Sequence, residues 1–508
     1  MGKTVPERVA AVVAEHTRTV FGLMGNGNAW FIHALAERGV EIIPVRHEAA
    51  TVAAADAFHR TTRHLAVATT TYGPGFSNAV TPLIDAALNR SPLLLVAGAN
   101  AAVDHAALAG VTGARVIVAG GDPAADTRRA LDVALAESVP VVLFLPSGAQ
   151  AGEPSPGTGD AAQVPRLLSD ARRPLILAGR GAAGARREVV ALAETLGSDV
   201  AVTVPAKGFF RGARCVRDLG ICGGFALPEA AAEIRRADVV LVVGASLNRF
   251  TTGYGRAFGP DAHVIQIDRH SPTSPRVDTF LSGDAGEVIA GLEVRAVEKH
   301  RAPLRTGHPP GEELAPDGRL DPRSLFVRLN DILPRERVVV TDGGHFLAWP
   351  CMYLDVPGPD HLVLVGTAFE SIGLGFGSAV GVVEAAGDRL TVLVTGDGGG
   401  LMALSDAESV LRRVNATGGR CVIVVVNDAA YGAEIHQYGT KGVAEAPMLI
   451  PEVDFAALLG VFGAPGTVVR ALADLGPMHD WLATGESGTW VLDCRVSRAV
   501  VAPFLSRK

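Results

Sequence analysis

The stretch VLVTGDGGGLMALSDAESVLRR, residues 392–413, sets a carboxylate between glycines where an apolar run gives way to a helical pattern. Such a run reads as a buried strand, and Gly396-Asp397-Gly398 closes it. Glycines let backbone amides come close to a ligand, and a helix N-terminus favours a phosphate. An aspartate at a strand's carboxyl end suits a hard cation, which takes oxygen ligands. The next apolar run, CVIVVVND, ends at Asn427-Asp428. The 28 residues between Gly398 and Asn427 are room for one helix and one strand. Asp397 and Asp428 then emerge at the same edge of one parallel sheet, where open α/β sheets bind ligands. Oxygen-bearing side chains on neighbouring strand ends, above a helix N-terminus, suit Mg2+ bridging to a diphosphate. Taken alone, a Gly-Asp-Gly is equally a plain strand-to-helix turn.

Far upstream, VRHEAATVAAADAFH (45–59) is a helical stretch made mostly of alanine, with Glu48 at its mouth behind Arg46 and His47. The small apolar residues that follow mark a helix packed against something. Burial raises a carboxyl's pKa, so a glutamate in an alanine-lined site can stay protonated and donate. The plainer role is that an acid in the first turn favours the positive end of the helix dipole.

These acids need elements to hold them. At roughly 150 residues per domain, 508 residues suggest about three domains. Short apolar runs that end in glycine and lead into helical segments recur along the chain: VFGLMGNG, LAVATTTYGPG, LLLVAGAN and VVLFLPSG first, then PLILAGRG, DVVLVVGASLN and HVIQID, then RVVVTDGG and the two already quoted. They read as buried parallel strands feeding βα loops. Two Gly- and Pro-rich stretches, 151–163 and 300–320, read as linkers. The expected architecture is α/β, with three doubly wound parallel-sheet domains over residues 1–150, 164–296 and 321–508. No internal repeat is visible.

Composition removes several classes of partner. Net charge is −7 with no block of lysine or arginine, which argues against nucleic acid. The cysteines (Cys215, Cys222, Cys351, Cys421, Cys494) are scattered with no CxxC, so neither a disulfide framework nor a thiolate zinc site is expected, and a reducing cytoplasm fits. The N-terminal stretch lacks a signal-peptide apolar block, and no run of 18 apolar residues exists to span a membrane.

A GDG followed by an Asn-Asp pair at this spacing resembles the diphosphate motif of thiamine diphosphate enzymes, and RHE resembles the other half of that signature. Between them, TTTYGPGFSNAVTPLIDAALNRSPLLLVAGAN (69–100), RRPLILAGRGA (172–182) and ESIGLGFGSAVG (370–381) resemble further family segments in the family's order. The closest likeness is to the group holding acetolactate synthase, benzaldehyde lyase and pyruvate decarboxylase; FGLMG, RHEAA and NAVTP lean toward benzaldehyde lyase. The resemblance implies that Glu48 shares a proton with the cofactor's aminopyrimidine and shifts it to an imino tautomer. The imino nitrogen then acts as the base on the thiazolium carbon. It implies that Asp397 and Asp428 bind the cation through side chains and Ala430 through its carbonyl. Asp428 stands where asparagine is more usual and adds negative charge. Gly396, Gly398 and Gly399 belong to the diphosphate motif, and Gly73 to a segment beside the active site. Ile372 matches the apolar wedge that folds the cofactor. Glu370 stands where glycine is common, its backbone carbonyl accepting from the cofactor's amino group. His345 either reaches the diphosphate or is an ordinary loop histidine.

On the reactive face, Asn26 stands where pyruvate decarboxylases have an aspartate, and Met24 where benzaldehyde lyase has a histidine. A glutamine common among relatives is missing from the short segment 99–110, where His105 partly occupies the space. Glu434 falls where pyruvate decarboxylases place a glutamate near the substrate, with His436 beside it; an exposed helix charge explains Glu434 equally well. The resemblance thus implies thiamine diphosphate and Mg2+, and a homodimer or homotetramer with its active site at the subunit interface. Residues 200–260 carry no fingerprint that selects between FAD and an empty central domain. The expected activity is a carboligase joining a 2-oxo acid such as pyruvate to an aldehyde or ketone. The alternatives are a 2-oxo-acid decarboxylase or C–C lyase, a non-catalytic cofactor-binding protein, and, from another class, a nucleotide-binding protein with an NAD-type Rossmann site.

Overall fold

The computed structural model describes residues 4–99, 103–145, 163–213, 216–248, 250–270, 274, 276–296 and 307–506. Most of the predicted 151–163 linker, the start of the 300–320 linker, the beginning of the 99–110 segment and Cys215 lie outside them. Three six-stranded parallel sheets carry the fold.

The first sheet holds β1 (Thr19–Gly22), β2 (Glu41–Pro44), β3 (Ala66–Thr70), β4 (Leu93–Gly98), β5 (Arg115–Val118) and β6 (Pro140–Leu145), in the spatial order 2-1-3-4-6-5. The second holds β7 (Pro174–Ala178), β8 (Asp199–Val202), β9 (Arg217–Ile221), β10 (Val239–Val243), β11 (His263–Asp268) and β12 (Thr279–Ser282). Counted within itself, it runs 3-2-1-4-5-6, the order of dinucleotide folds. At its switch point the loops after β7 and β10 pack backbone to backbone: a Cβ on Gly179 would lie 2.2 Å from the Gly244 carbonyl. The third sheet holds β13 (Arg337–Thr341), β14 (Leu362–Leu364), β15 (Leu390–Gly396), β16 (Arg420–Asn427), β17 (Gly466–Val469) and β18 (Gly488–Arg495). Its order, counted the same way, is again 2-1-3-4-6-5. The chain therefore repeats one topology at its two ends, although no repeat shows in the sequence.

The described chain forms two compact units: residues 1–153, 311–347 and 363–501 in one, and 154–310, 348–362 and 502–508 in the other. In the first unit the alanine helix Glu48–Thr62 finds its partner in the glycine-rich helix Gly375–Ala386. A Cβ on Gly377 would come within 2.8 Å of Ala50, and one on Gly381 within 1.9 Å of the Ala54 carbonyl. Alanine on one helix and glycine on the other permit this approach. Alanine also carries the best intrinsic helix propensity, so the packing face does not weaken its helix. The His47 ring accepts the Ala49 N–H at the N-terminus, and Arg63, at φ 64°, closes the C-terminus in the left-handed region. No described helix is long and apolar enough to cross a membrane.

Candidate active site

β15 and β16 run in parallel register with Gly396 opposite Val426, so Asp397 and Asp428 leave the sheet side by side. Asp397 is the first residue of a short helix, Asp397–Met402, and only 3% exposed. Its carboxylate accepts the backbone N–H groups of Gly398 and Ala430, yet Oδ2 is buried with no hydrogen-bond partner among the described residues. Burial, and then the neighbouring Asp428 carboxylate, push the Asp397 pKa up to about 7. Two adjacent buried carboxylates, one with an unpartnered oxygen, are an unfavourable arrangement unless a positive charge completes it.

The turn after β16 is shaped for that meeting. Ala429 sits at φ 58°, a conformation costly for a residue with a Cβ, and its carbonyl accepts the Ile450 N–H at 3.0 Å. Asn427 turns the other way: its side-chain amide donates to the Val453 carbonyl and to Asp493, anchoring the strand end. Only Asp428 of the pair is left to face Asp397. Among the described residues no three His, Cys, Asp or Glu side chains form a metal cluster. A cation here takes two carboxylates and fills its remaining positions from backbone, water or ligand oxygens, the habit of Mg2+.

Histidines line the same side. His345 Nδ1 lies 3.9 Å from Asp428 Oδ2, and the His345 and His436 rings are 4.7 Å apart. Burial, with His345 beside it, holds His436 below its ordinary pKa, and its Nε2 has no hydrogen-bond partner among the described residues. Glu434 is exposed on the helix Gly432–Tyr438. The glycines have little freedom to change: a Cβ would meet the Phe346 ring at Gly396, the Tyr431 ring at Gly398 and Asp342 at Gly399, each below 3.0 Å.

Asp342, at the end of β13, was not singled out by the sequence, although its TDGG context at a strand end was the available signal. It is fully buried, and burial lifts its pKa to about 6 despite backbone N–H groups from Gly343, Gly373, Leu374 and Gly375. It thereby pins the segment carrying Glu370 and Ile372. Glu370 is exposed and adopts φ 60°, which explains why glycine suits the position; Ile372 is half-buried against Gly343.

Glu48 lies at the mouth of its helix, half-buried, receiving an N–H from the Asn78 amide at 2.9 Å. The alanine pattern foretells burial for the helix face, and the carboxyl itself looks out toward the turn at Gly73-Pro74-Gly75. Gly73, at φ 63°, donates its N–H to His105 Nε2 at 2.9 Å. His105 Nδ1 faces the Val103 carbonyl at 2.8 Å, so its ring is a buried brace for this turn. In Met24-Gly25-Asn26-Gly27-Asn28, Asn26 and Met24 are exposed. Asn28, which the sequence left unassigned, is the structural asparagine: it bonds Gly25, Leu23 and Thr69. The Glu48 group and the Asp397 group share no hydrogen bond among the described residues.

Models of thiamine pyrophosphate enzymes match in series: the N-terminal TPP binding domain over residues 3–114, the central domain over 161–292 and the C-terminal TPP binding domain over 342–494. The chain belongs to the thiamine pyrophosphate enzyme family. Among its relatives, acetolactate synthase isozyme 2 large subunit of Escherichia coli is 26% identical over 80% of each chain. An acetolactate synthase large subunit of Mycobacterium tuberculosis is 28% identical over 90% of this chain and 89% of its own. Sulfoacetaldehyde acetyltransferase of Castellaniella defragrans is 26% identical over 98% and 93%. In fold, the thiamine diphosphate-dependent 4-hydroxybenzoylformate decarboxylase of Rhodococcus jostii RHA1 superposes with a TM-score of 0.80 over 97% of this chain and 99% of that one, at 20% identity. As a member of the family the chain is a thiamine diphosphate-dependent enzyme that makes or breaks C–C bonds.

Proposed function

We propose that this family member is a Mg2+-dependent carboligase that decarboxylates a 2-oxo acid such as pyruvate and passes the acyl unit to an aldehyde or ketone. The observation that carries the cofactor half of this reading is the unpartnered Asp397 Oδ2 beside Asp428. In this reading the two carboxylates and the Ala430 carbonyl hold Mg2+ against a diphosphate, with Gly396, Gly398 and Gly399 allowing close approach. Bound thiamine diphosphate supplies a nucleophilic carbon and an electron sink for decarboxylation. Glu48 would face the aminopyrimidine ring and hold or give up a proton at its carboxyl, the Glu370 carbonyl would accept from the cofactor's amino group, and Ile372 would lie against it.

The choice of carboligation rests on the opposite wall. Aldehyde release puts a proton on the acyl carbon, whereas transfer to a second carbonyl forms a C–C bond there and needs its proton on the acceptor oxygen instead. Met24 and Asn26 offer no titratable group there, and His105 is fully engaged. Relatives named as a synthase and an acetyltransferase support the same choice. The competing decarboxylase reading is favoured by Glu434, an exposed carboxylate at the start of its helix, with His436 as a second proton carrier. Purified protein given Mg2+, thiamine diphosphate and pyruvate is expected to yield acetolactate or acetoin; free acetaldehyde alone selects the decarboxylase, and no turnover across a panel of 2-oxo acids removes both. The visible spectrum of the same preparation reports whether flavin is bound.

The complete site in this reading joins Glu48 of one subunit to Asp397 of a second. The half-open Glu48 and the exposed Met24 and Trp30, at 63% and 71%, support that assembly. The buried free thiols Cys222, Cys351, Cys421 and Cys494 fit a cytoplasmic enzyme.

A further inference from the structure

Asp342 holds the Glu370–Ile372 segment from its C-terminal side. A second buried carboxylate, Asp85, holds it from the other. Asp85 belongs to the helix Val80–Leu88 beside the first sheet, and the segment it grips follows β14 of the third. Only 2% exposed, Asp85 accepts the backbone N–H groups of Gly366 at 3.1 Å, Ala368 at 3.0 Å and Phe369 at 3.1 Å. The Asn89 amide adds a bond to Oδ2 at 3.0 Å. Arg60 and Asp56, both buried on the Glu48–Thr62 helix, pair at 3.0 Å, and Arg60 Nη2 donates to the Leu364 carbonyl. Two helices from one end of the chain thus fix residues 364–369 of the other.

The clamp ends where the strain begins. Glu370, the next residue, carries φ 60°, and the Ser371 N–H returns to the Gly366 carbonyl at 2.9 Å. A side chain held at such a φ is strained and persists only where its surroundings over-determine it. A purely structural contact here would be served as well by apolar residues, because burying three charged groups is expensive. Three N–H bonds to one carboxylate fix a backbone path in a way apolar packing does not.

We propose that Asp85, backed by Arg60 and Asp56, is a positioning residue that sets the Glu370–Ile372 backbone to receive the aminopyrimidine end of the cofactor. This rests on the reading given under Proposed function. The test uses the full-length protein and the variants D85N, which keeps the shape, and D85A. Hydrogen exchange of peptides covering 366–369 is followed without cofactor, and the thiamine diphosphate Kd is measured with saturating Mg2+. In the wild type these amides are expected to be protected. In both variants their exchange accelerates about tenfold or more, and the Kd rises by about tenfold or more, one lost charged hydrogen bond being worth at least that factor. Peptides over Asp397 and Asp428 keep their protection. R217M, a destabilised control in the other compact unit, changes neither quantity. Wild-type exchange and Kd in D85N overturn the proposal, as does rapid exchange at 366–369 in the wild type. A wild type that binds no thiamine diphosphate removes the underlying reading instead, and the proposal with it.

Discussion

Asp397 competes with itself: the carboxylate that a cation needs is the one that burial and Asp428 keep protonated up to about pH 7. A cation must displace that proton. Below pH 7 the affinity for Mg2+ with thiamine diphosphate is therefore expected to fall, by up to about tenfold per pH unit, and to level off above it. Calorimetry in buffers of different ionisation enthalpy should register about one proton released per cation near pH 6. D428N removes the like charge, and the break moves to lower pH. At the other half-site, E48Q keeps the Asn78 contact but has no proton to exchange. Turnover is expected to fall by at least about 100-fold with the cofactor Kd little changed, measured by steady-state kinetics and titration side by side. At this scale the sequence was legible where chemistry fixes residue type: Asp397, Asp428 and Glu48 stand out because carboxylates beside glycine or alanine are conspicuous. Asp85 was not, because a residue that acts by accepting backbone N–H groups from a distant segment carries no local pattern, and Asp342 was signalled only by its TDGG context at a strand end. His105 shows the converse, since a histidine near a pocket in sequence gives no sign that both ring nitrogens are engaged.

Strands were the easiest elements to read, since apolar runs such as LTVLVTG and RCVIVVVN are buried along nearly their whole length. Their order was not legible, because sheet order depends on which crossover each helix makes. The alanine helix announced a tight contact without naming its partner. That contact is exacting. In G381A the new Cβ would meet the Ala54 carbonyl at 1.9 Å, backbone that cannot swing aside. The expected cost is about 3 kcal/mol or more, read from denaturant unfolding, because overpacking against main chain forces the helices apart. Arg413, on the helix Ser405–Thr417, pairs with Glu384 of the glycine-rich helix and with Glu41 of β2, so displacing that helix would also open an ion-pair cluster.

For the whole molecule the decisive prediction concerns assembly. If each site takes Glu48 from one subunit and Asp397 from another, mixing E48Q with D397A chains gives heterodimers with one intact site of two. Random reassortment should restore about a quarter of wild-type activity from two inactive parents. A site built within one chain would restore none. In the other compact unit, Arg217 bridges Asp199 and Glu233, with side chains 13%, 6% and 17% exposed. R217M removes the guanidinium that Asp199 and Glu233 share, Glu233 keeping its pair with Arg236, and is expected to cost about 3 kcal/mol in thermal or denaturant unfolding. Arg217, with Arg236, holds the Glu233 pKa below its ordinary range. Its contribution is therefore present above the unfolded pKa and lost as pH falls through the lower folded value, a fall that R217M should flatten.

The helices Glu48–Thr62 and Gly375–Ala386 each link the second strand of their sheet to the third, and the two sheets share one order. Ala50 and Gly377 are each the third residue of their helix, and Ala54 and Gly381 each the seventh, and these are the pairs that touch. Equivalent positions meeting in step is what a two-fold axis demands of a self-complementary contact. The polypeptide thus carries an approximate dyad folded into itself, and a substitution on either helix perturbs both halves of the pseudo-symmetric pair at once.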